Sequence, residues 1–333
     1  MSEEGLAGRR VLVTGGLGFI GSNLAHRCAS VGAQVTVLDS LDPSCGGNAA
    51  NLDGVADRVR VMRGDIRDER VAGDAVRDSD VVFSCAAFTS HARSMEDPAH
   101  VMDVNCGGTL VLLEAAKRER GRVRFVHVGT STQTGRMLRE PITEDHPELP
   151  LDMYSASKTA SEKLVFLYGT VHGVPATVVR LANVYGPRAN IRSADLGFLN
   201  YFIGLALRGE RLTVYGEGDQ RRNVAYVDDV VGALVRASIV PAAVGQVLFA
   251  VSDEHLTVRA LAETISREIG SAVVASVPWP SSRARIEIGS AVIDGSRGRE
   301  VLGWRATTSL RDGLARTKAY YASRLQAYLG SAA

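Results

Sequence analysis

The segment Thr14-Gly15-Gly16-Leu17-Gly18-Phe19-Ile20-Gly21 constrains this chain most, because glycines at Gly-x-x-Gly-x-x-Gly spacing stand between a β-branched run and an amphipathic stretch. Such an array lets a strand turn sharply into a helix whose first backbone N–H groups meet a phosphate. Gly15 permits the tight turn, Gly18 lets the amides around Phe19 and Ile20 approach a pyrophosphate, and Gly21 lets the helix press on the sheet. A glycine triplet alone is weak evidence. A strand before it and a helix after it give it meaning.

Short β-branched runs alternate with amphipathic stretches, as a parallel sheet with crossover helices on both faces requires. Strands are predicted at 11–14, 34–39, 59–64, 80–84, 123–129 and 176–181, and helices near 18–31, 103–118 and 153–171. After Leu181 the rhythm breaks into a segment rich in Arg, Asn, Pro and Gly, then short strands such as 212–215 and 247–251. The expected fold class is α/β: a Rossmann-type doubly wound parallel sheet over residues 1–182, with a smaller C-terminal α/β substrate-binding lobe over 183–333. Segments of the second part are expected to return to the first. The cleft between the lobes is the expected ligand site.

With 38 Lys+Arg against 37 Asp+Glu, the net charge of +1 leaves no long-range field to draw the chain to nucleic acid or to an anionic membrane. Any anion must be held locally. No apolar run approaches the roughly 18 residues of a membrane span, and the start Met1-Ser2-Glu3-Glu4 is acidic, so the expected location is cytoplasmic. The four cysteines show no Cys-x-x-Cys spacing and the seven histidines are dispersed, so no metal site is expected. His91 either lines a pocket beyond the fourth strand or packs in the core.

Asp39 ends the second strand 24 positions after Gly15, about where a carboxylate accepts hydrogen bonds from an adenosine ribose. It would repel a 2'-phosphate, and Ser40 and Leu41 offer no cation, so NAD is expected rather than NADP. Asp65 ends the third strand and either reaches the adenine or forms a turn. Tyr154 and Lys158 stand four apart in a predicted helix and so share a face. A lysine ammonium beside a phenol stabilises the phenolate and lowers its pKa toward a usable range. Thr130 follows the fifth strand, at the carboxyl edge where doubly wound sheets bind ligands, with Ser131 and Thr132 beside it.

These residues together resemble the extended short-chain dehydrogenase/reductase family, in its NAD-dependent nucleotide-sugar epimerase/dehydratase branch (UDP-glucose 4-epimerase-like). The resemblance rests on Thr14 to Gly21, Asp39, Gly64-Asp65, Ala86-Ala87, Asn105, the Thr130 segment, Tyr154 with Lys158, Arg180 to Pro187 and Arg222 to Asp229. It implies a homodimer that binds NAD and a nucleotide-diphosphate sugar. Thr130, Tyr154 and Lys158 are then catalytic. Gly15, Gly18, Phe19, Ile20, Gly21, Asp39, Asp65, Ile66, Ala86, Ala87 and Asn105 hold NAD together with Tyr154 and Lys158. Thr89, Thr130, Ser131, Thr132, Asn183, Asn200, Arg222 and one of Arg283 or Arg285, with Arg285 preferred, hold substrate.

Members of the branch open by oxidising a sugar hydroxyl, and the resemblance also separates their reactions. Sugar 4,6-dehydratases carry Asp-Glu directly after the catalytic threonine, because elimination needs carboxyls; here Ser131 and Thr132 stand there. A 4-epimerase acting on a UDP-hexose or UDP-hexuronate needs no further acid or base and is the leading expectation. The alternatives are a 4-ketoreductase or atypical dehydratase of a secondary-metabolite sugar pathway, or a protein that senses NAD without chemistry.

Overall fold

Strand β1 (Arg10–Thr14) begins an alternation of strands and helices that continues through β2 (Gln34–Asp39), β3 (Val59–Arg63), β4 (Val81–Ser84), β5 (Arg124–Thr130) and β6 (Ala176–Leu181). The computed structural model describes residues 3–270 and 272–329. All six strands lie within a residue or two of their predicted positions. Every residue of β4 and β6 is buried, so these strands need parallel neighbours and helices over both faces.

Further along come β7 (Asn183–Tyr185), β8 (Leu212–Tyr215), β9 (Arg221–Tyr226), β10 (Val247–Ala250), β11 (His255–Thr257) and β12 (Val274–Val277). The main sheet has seven strands in the order β10-β6-β5-β4-β1-β2-β3, every pairing parallel. The chain winds outward from β1 in one direction, then from β4 in the other, which opens a crevice at the carboxyl ends between them. The protein is thus a Rossmann-type α/β fold. A three-stranded sheet β11-β9-β7 and a two-stranded sheet β12-β8 build the smaller lobe. The chain returns from that lobe to the first: β10 extends the main sheet beyond β6, and the helix Val227–Ile239 packs on α1 (Phe19–Ser30).

Two helices pack side by side next to the sheet. The stretch predicted as one helix over 103–118 is a π turn, Asp103–Gly107, running into α2 (Gly108–Arg118). The wider turn brings Asn105 inward, where its amide donates to Phe88 O at 3.0 Å and to Ser157 Oγ at 2.9 Å while accepting from Phe88 N at 2.7 Å. Helix α3 (Met153–His172) starts on Asp152, whose carboxylate accepts from Ser155 N at 2.7 Å. The phase of α3 is set inside the protein. Glu162, 1% exposed, accepts from Arg180 Nε at 2.9 Å and Nη2 at 2.5 Å, and Gln133 Nε2 adds a third bond at 2.9 Å. Gln133 Oε1 in turn accepts from Thr130 N at 3.1 Å. One carboxylate therefore ties α3 to β6 and to the turn after β5.

Candidate active site

A cavity of about 800 Å³ lies over the carboxyl ends of the sheet, between it and the smaller lobe. The glycine turn, the ends of β2 to β5, the first turns of α3 and side chains of the smaller lobe all contribute to its wall.

The glycine turn is built as its spacing demands. Gly15 has φ of 64°, and a Cβ there would lie 2.8 Å from Ala86 Cα; one at Gly21 would lie 2.3 Å from Gly15 O. Helix α1 opens at Gly18 with no side-chain cap, so its first amides have no acceptor from the protein's own side chains, and Gly18, Phe19, Ile20 and Gly21 all line the cavity. An uncapped helix start in a concave wall fits a dinucleotide pyrophosphate. Asp39 lines the same region; its two oxygens accept from Leu17 N at 2.9 Å and Leu41 N at 2.8 Å, which fixes the carboxylate. Asp65 and Ile66 line it too. Asp65 is gripped by Arg67 through Nε at 3.0 Å and Nη2 at 2.7 Å, and this pairing holds its carboxyl below the usual range. Ala86 and Ala87 are on the wall, whereas Asn105 is not: its side chain is spent on Phe88 and Ser157, so it shapes the wall from behind.

Thr130, Tyr154 and Lys158 all line the cavity together. Thr130 Oγ1 is 3.1 Å from Thr132 Oγ1, which accepts from Ser155 Oγ at 2.8 Å, making a short row of hydroxyls. Burial pushes the Tyr154 phenol up to about 12, outweighing the nearby Thr130 hydroxyl, which favours the phenolate, while the Asp152 charge adds to the rise. The expected lowering by Lys158 is absent. The reason is where the ammonium goes: Lys158 Nζ lies 3.1 Å from His127 Nε2 on β5. An ammonium only donates, so Nε2 accepts, leaving the imidazole proton on Nδ1, which is 3.3 Å from Ser84 Oγ. Burial holds His127 neutral, far below its ordinary range, and brings Lys158 down to about 8, with Cys85 and Glu162 opposing that shift.

Thr89, Ser131, Thr132, Asn183, Asn200 and Arg222 also line the cavity. Three are already engaged: Asn183 Nδ2 donates to Asn223 O at 2.9 Å, Asn200 bridges Gly186 N and Val184 O, and Arg222 Nη2 pairs with Glu287 at 2.5 Å. The two candidate arginines, Arg283 and Arg285, differ in place. Arg285 lies off the wall with Nε donating to Ser281 O, while Arg283, two residues earlier on the short helix Ser281–Arg285, lines the cavity and pairs with Asp195. Sequence reasoning passed over His127, whose place on the Phe125 and Gly129 side of β5 follows from strand alternation. It set His91 aside as an open alternative; His91 lines the cavity.

The buried ammonium makes a prediction with a definite sign. Because Lys158 titrates near 8 in the fold instead of 10.5, the unfolded chain binds more protons between those values, and stability gains from this residue as pH rises through that window. The free energy of urea unfolding of the protein minus that of Lys158→Met is expected to increase from pH 7.5 to 10; a pH-independent difference contradicts the assignment.

Residues 11–247 match the family described as NAD dependent epimerase/dehydratase. The chain is 33% identical to a UDP-glucose 4-epimerase of Mycolicibacterium smegmatis, with 95% of this chain and 100% of that one covered. It is 34% identical to a dTDP-glucose 4,6-dehydratase of Streptomyces niveus, covering 94% of this chain and 92% of that one. Among solved structures, UDP-glucose 4-epimerase from Thermotoga maritima with UDP-glucose superposes with a TM-score of 0.84 at 29% identity, covering 95% of this chain and 99% of that chain. Glycine turn, Asp39, clustered Thr130, Tyr154 and Lys158, and the extent of these matches agree: the chain belongs to the NAD-dependent epimerase/dehydratase family of extended short-chain dehydrogenase/reductases and is an enzyme that uses NAD.

Proposed function

We propose that the protein interconverts the C4 epimers of a nucleotide-diphosphate hexose or hexuronate, with UDP as the leading nucleotide, through a transient 4-keto sugar. The observation that carries this reading is the environment of Thr130: Ser131 and Thr132 follow it with hydroxyls, and Thr132 is hydrogen-bonded within the row Thr130–Thr132–Ser155. A hydroxyl titrates far outside the neutral range, so this row orients oxygen atoms but neither pulls a carbon-bound proton nor protonates a departing hydroxyl. Names of relatives alone do not choose, since both epimerases and 4,6-dehydratases are among them.

In this reading residues 1–182 hold the cofactor and the reacting groups, and residues from 183 onward hold most of the nucleotide sugar. Held by the glycine turn and Asp39, bound NAD would supply the hydride acceptor and donor for the sugar. Tyr154 receives the C4 hydroxyl proton and later gives it back, while Thr130 hydrogen-bonds the same oxygen. Lys158, one turn further along α3, has its ammonium on His127 at the cavity wall; in this reading it turns toward the phenol once cofactor and sugar are bound, and so favours the phenolate that takes the proton. Asn183, Arg222 and Arg283 orient the diphosphate and nucleotide; guanidinium groups suit paired hydrogen bonds to phosphate oxygens. Given UDP-glucose, UDP-glucuronate and their N-acetylated analogues, the enzyme is expected to convert at least one to its C4 epimer with no net reduction of NAD. Tyr154→Phe is expected to slow that conversion by about 10²–10⁴-fold. Net consumption of reduced cofactor would indicate a 4-ketoreductase, and loss of water a dehydratase.

We further propose a homodimer, in the cytoplasm. Helices α2 and α3 pack side by side and present Leu110 at 39%, Phe166 at 51%, Leu167 at 50% and Val171 at 65% exposure. Two such helix pairs from two copies would close a four-helix layer and remove these side chains from water. Phe166→Glu is expected to shift the elution volume in size-exclusion chromatography from a dimer to a monomer; an unchanged volume contradicts this interface. No helix among the described residues is long and apolar enough to cross a membrane.

A further inference from the structure

Beside the catalytic tyrosine stands an acid/base pair that the 4-epimerase reading leaves unused. His91 Nδ1 lies 2.7 Å from Asp152 Oδ2, and the imidazole meets the Tyr154 ring edge to face at 4.9 Å between centroids. His91, Asp152 and Tyr154 all line the cavity. Asp152 has a side chain only 4% exposed; burial works against its charge, but the bond from His91 holds the carboxyl below its usual range. Its other oxygen is fixed by Ser155 N at 2.7 Å, so the carboxylate cannot swing away.

A carboxylate on Nδ1 keeps the imidazole proton there and leaves the Nε2 lone pair available, which is how a carboxylate prepares a histidine for proton transfer. Nε2 has no hydrogen-bond partner among the described residues, and the His91 side chain is 36% exposed, so its proton exchanges with water. A histidine merely packed in a wall would need neither feature.

We propose that His91, held by Asp152, is a second acid/base of this site and exchanges the proton on a carbon adjacent to the 4-keto group. The inference rests on the reading of the cavity as a nucleotide-sugar site. Nε2 takes the proton; the C–H electron pair moves into an enolate whose negative charge rests on the C4 oxygen, where Thr130 and Tyr154 donate hydrogen bonds. The imidazolium then returns a proton to the same carbon, so atoms and charge balance and no further reagent is required. Because one imidazole takes and returns the proton on one face, the step exchanges hydrogen with water and leaves the configuration at C3 and C5 unchanged.

The test presents the ketone directly. NAD-loaded enzyme is incubated with UDP-4-keto-6-deoxyglucose in D2O, and the C3 and C5 proton signals are followed by NMR against an enzyme-free control. Wild type is expected to exchange one of them faster than the control, His91→Gln to lose at least about 100-fold of that rate, and Asp152→Asn, which keeps a helix-capping side chain, to lose part of it. Thermal melts of the variants establish that each is folded. Exchange no faster than the control, or exchange unaffected in folded His91→Gln, overturns the proposal. Exchange without any C4 interconversion of UDP-hexoses would uphold it while removing the 4-epimerase reading, so the two fail separately.

Discussion

The carboxylate of Glu162 is the point on which the geometry of this protein turns. It is buried with Arg180 and Gln133, and through them it joins the helix that carries Tyr154 and Lys158 to strand β6 and to the Thr130 turn. Removing charges from water is costly, and a buried pair is tolerated only when nearly every lone pair and proton is matched. Here the matching fixes rotation as well as position. A helix rolled by one residue would carry Tyr154 about 100° away from the crevice, and neither phenol nor ammonium would meet the groups around it.

Electrostatics inside this frame differ from a simple picture of a lysine tuning a tyrosine. Lys158 is taken up by a neutral His127, and both side chains titrate far from their usual values because they are buried. The phenol stays high, near 12, because burial dominates over the single hydroxyl beside it. A phenol and an ammonium thus stand on one cavity wall with their titrations displaced in opposite senses, the phenol upward and the ammonium downward.

Much of the architecture was legible in the sequence because it depends on local periodicity. Buried parallel strands show as apolar runs, the glycine turn marks strand followed by helix, and Tyr154 with Lys158 share a face at helical spacing. What was not legible depends on distant pairings. His91 and Asp152 are 61 residues apart and meet only because the helix His91–Glu96 packs on α3. His127 and Lys158 are 31 apart and meet across the sheet-to-helix layer. Nor does a helical pattern show the π turn that engages Asn105 with Phe88 and Ser157, or the phase of a five-residue helix that puts Arg283 on the cavity wall.

The central claim is that the reacting hydrogen leaves C4 of a sugar and comes back to the same carbon beside Tyr154. It is tested most directly with a UDP-hexose carrying deuterium at C4, with the isotope located in the epimerised product by NMR. Full retention of deuterium at C4, with none released to water, is the result this account predicts. Loss of the label to solvent, or its appearance on another carbon, would contradict it.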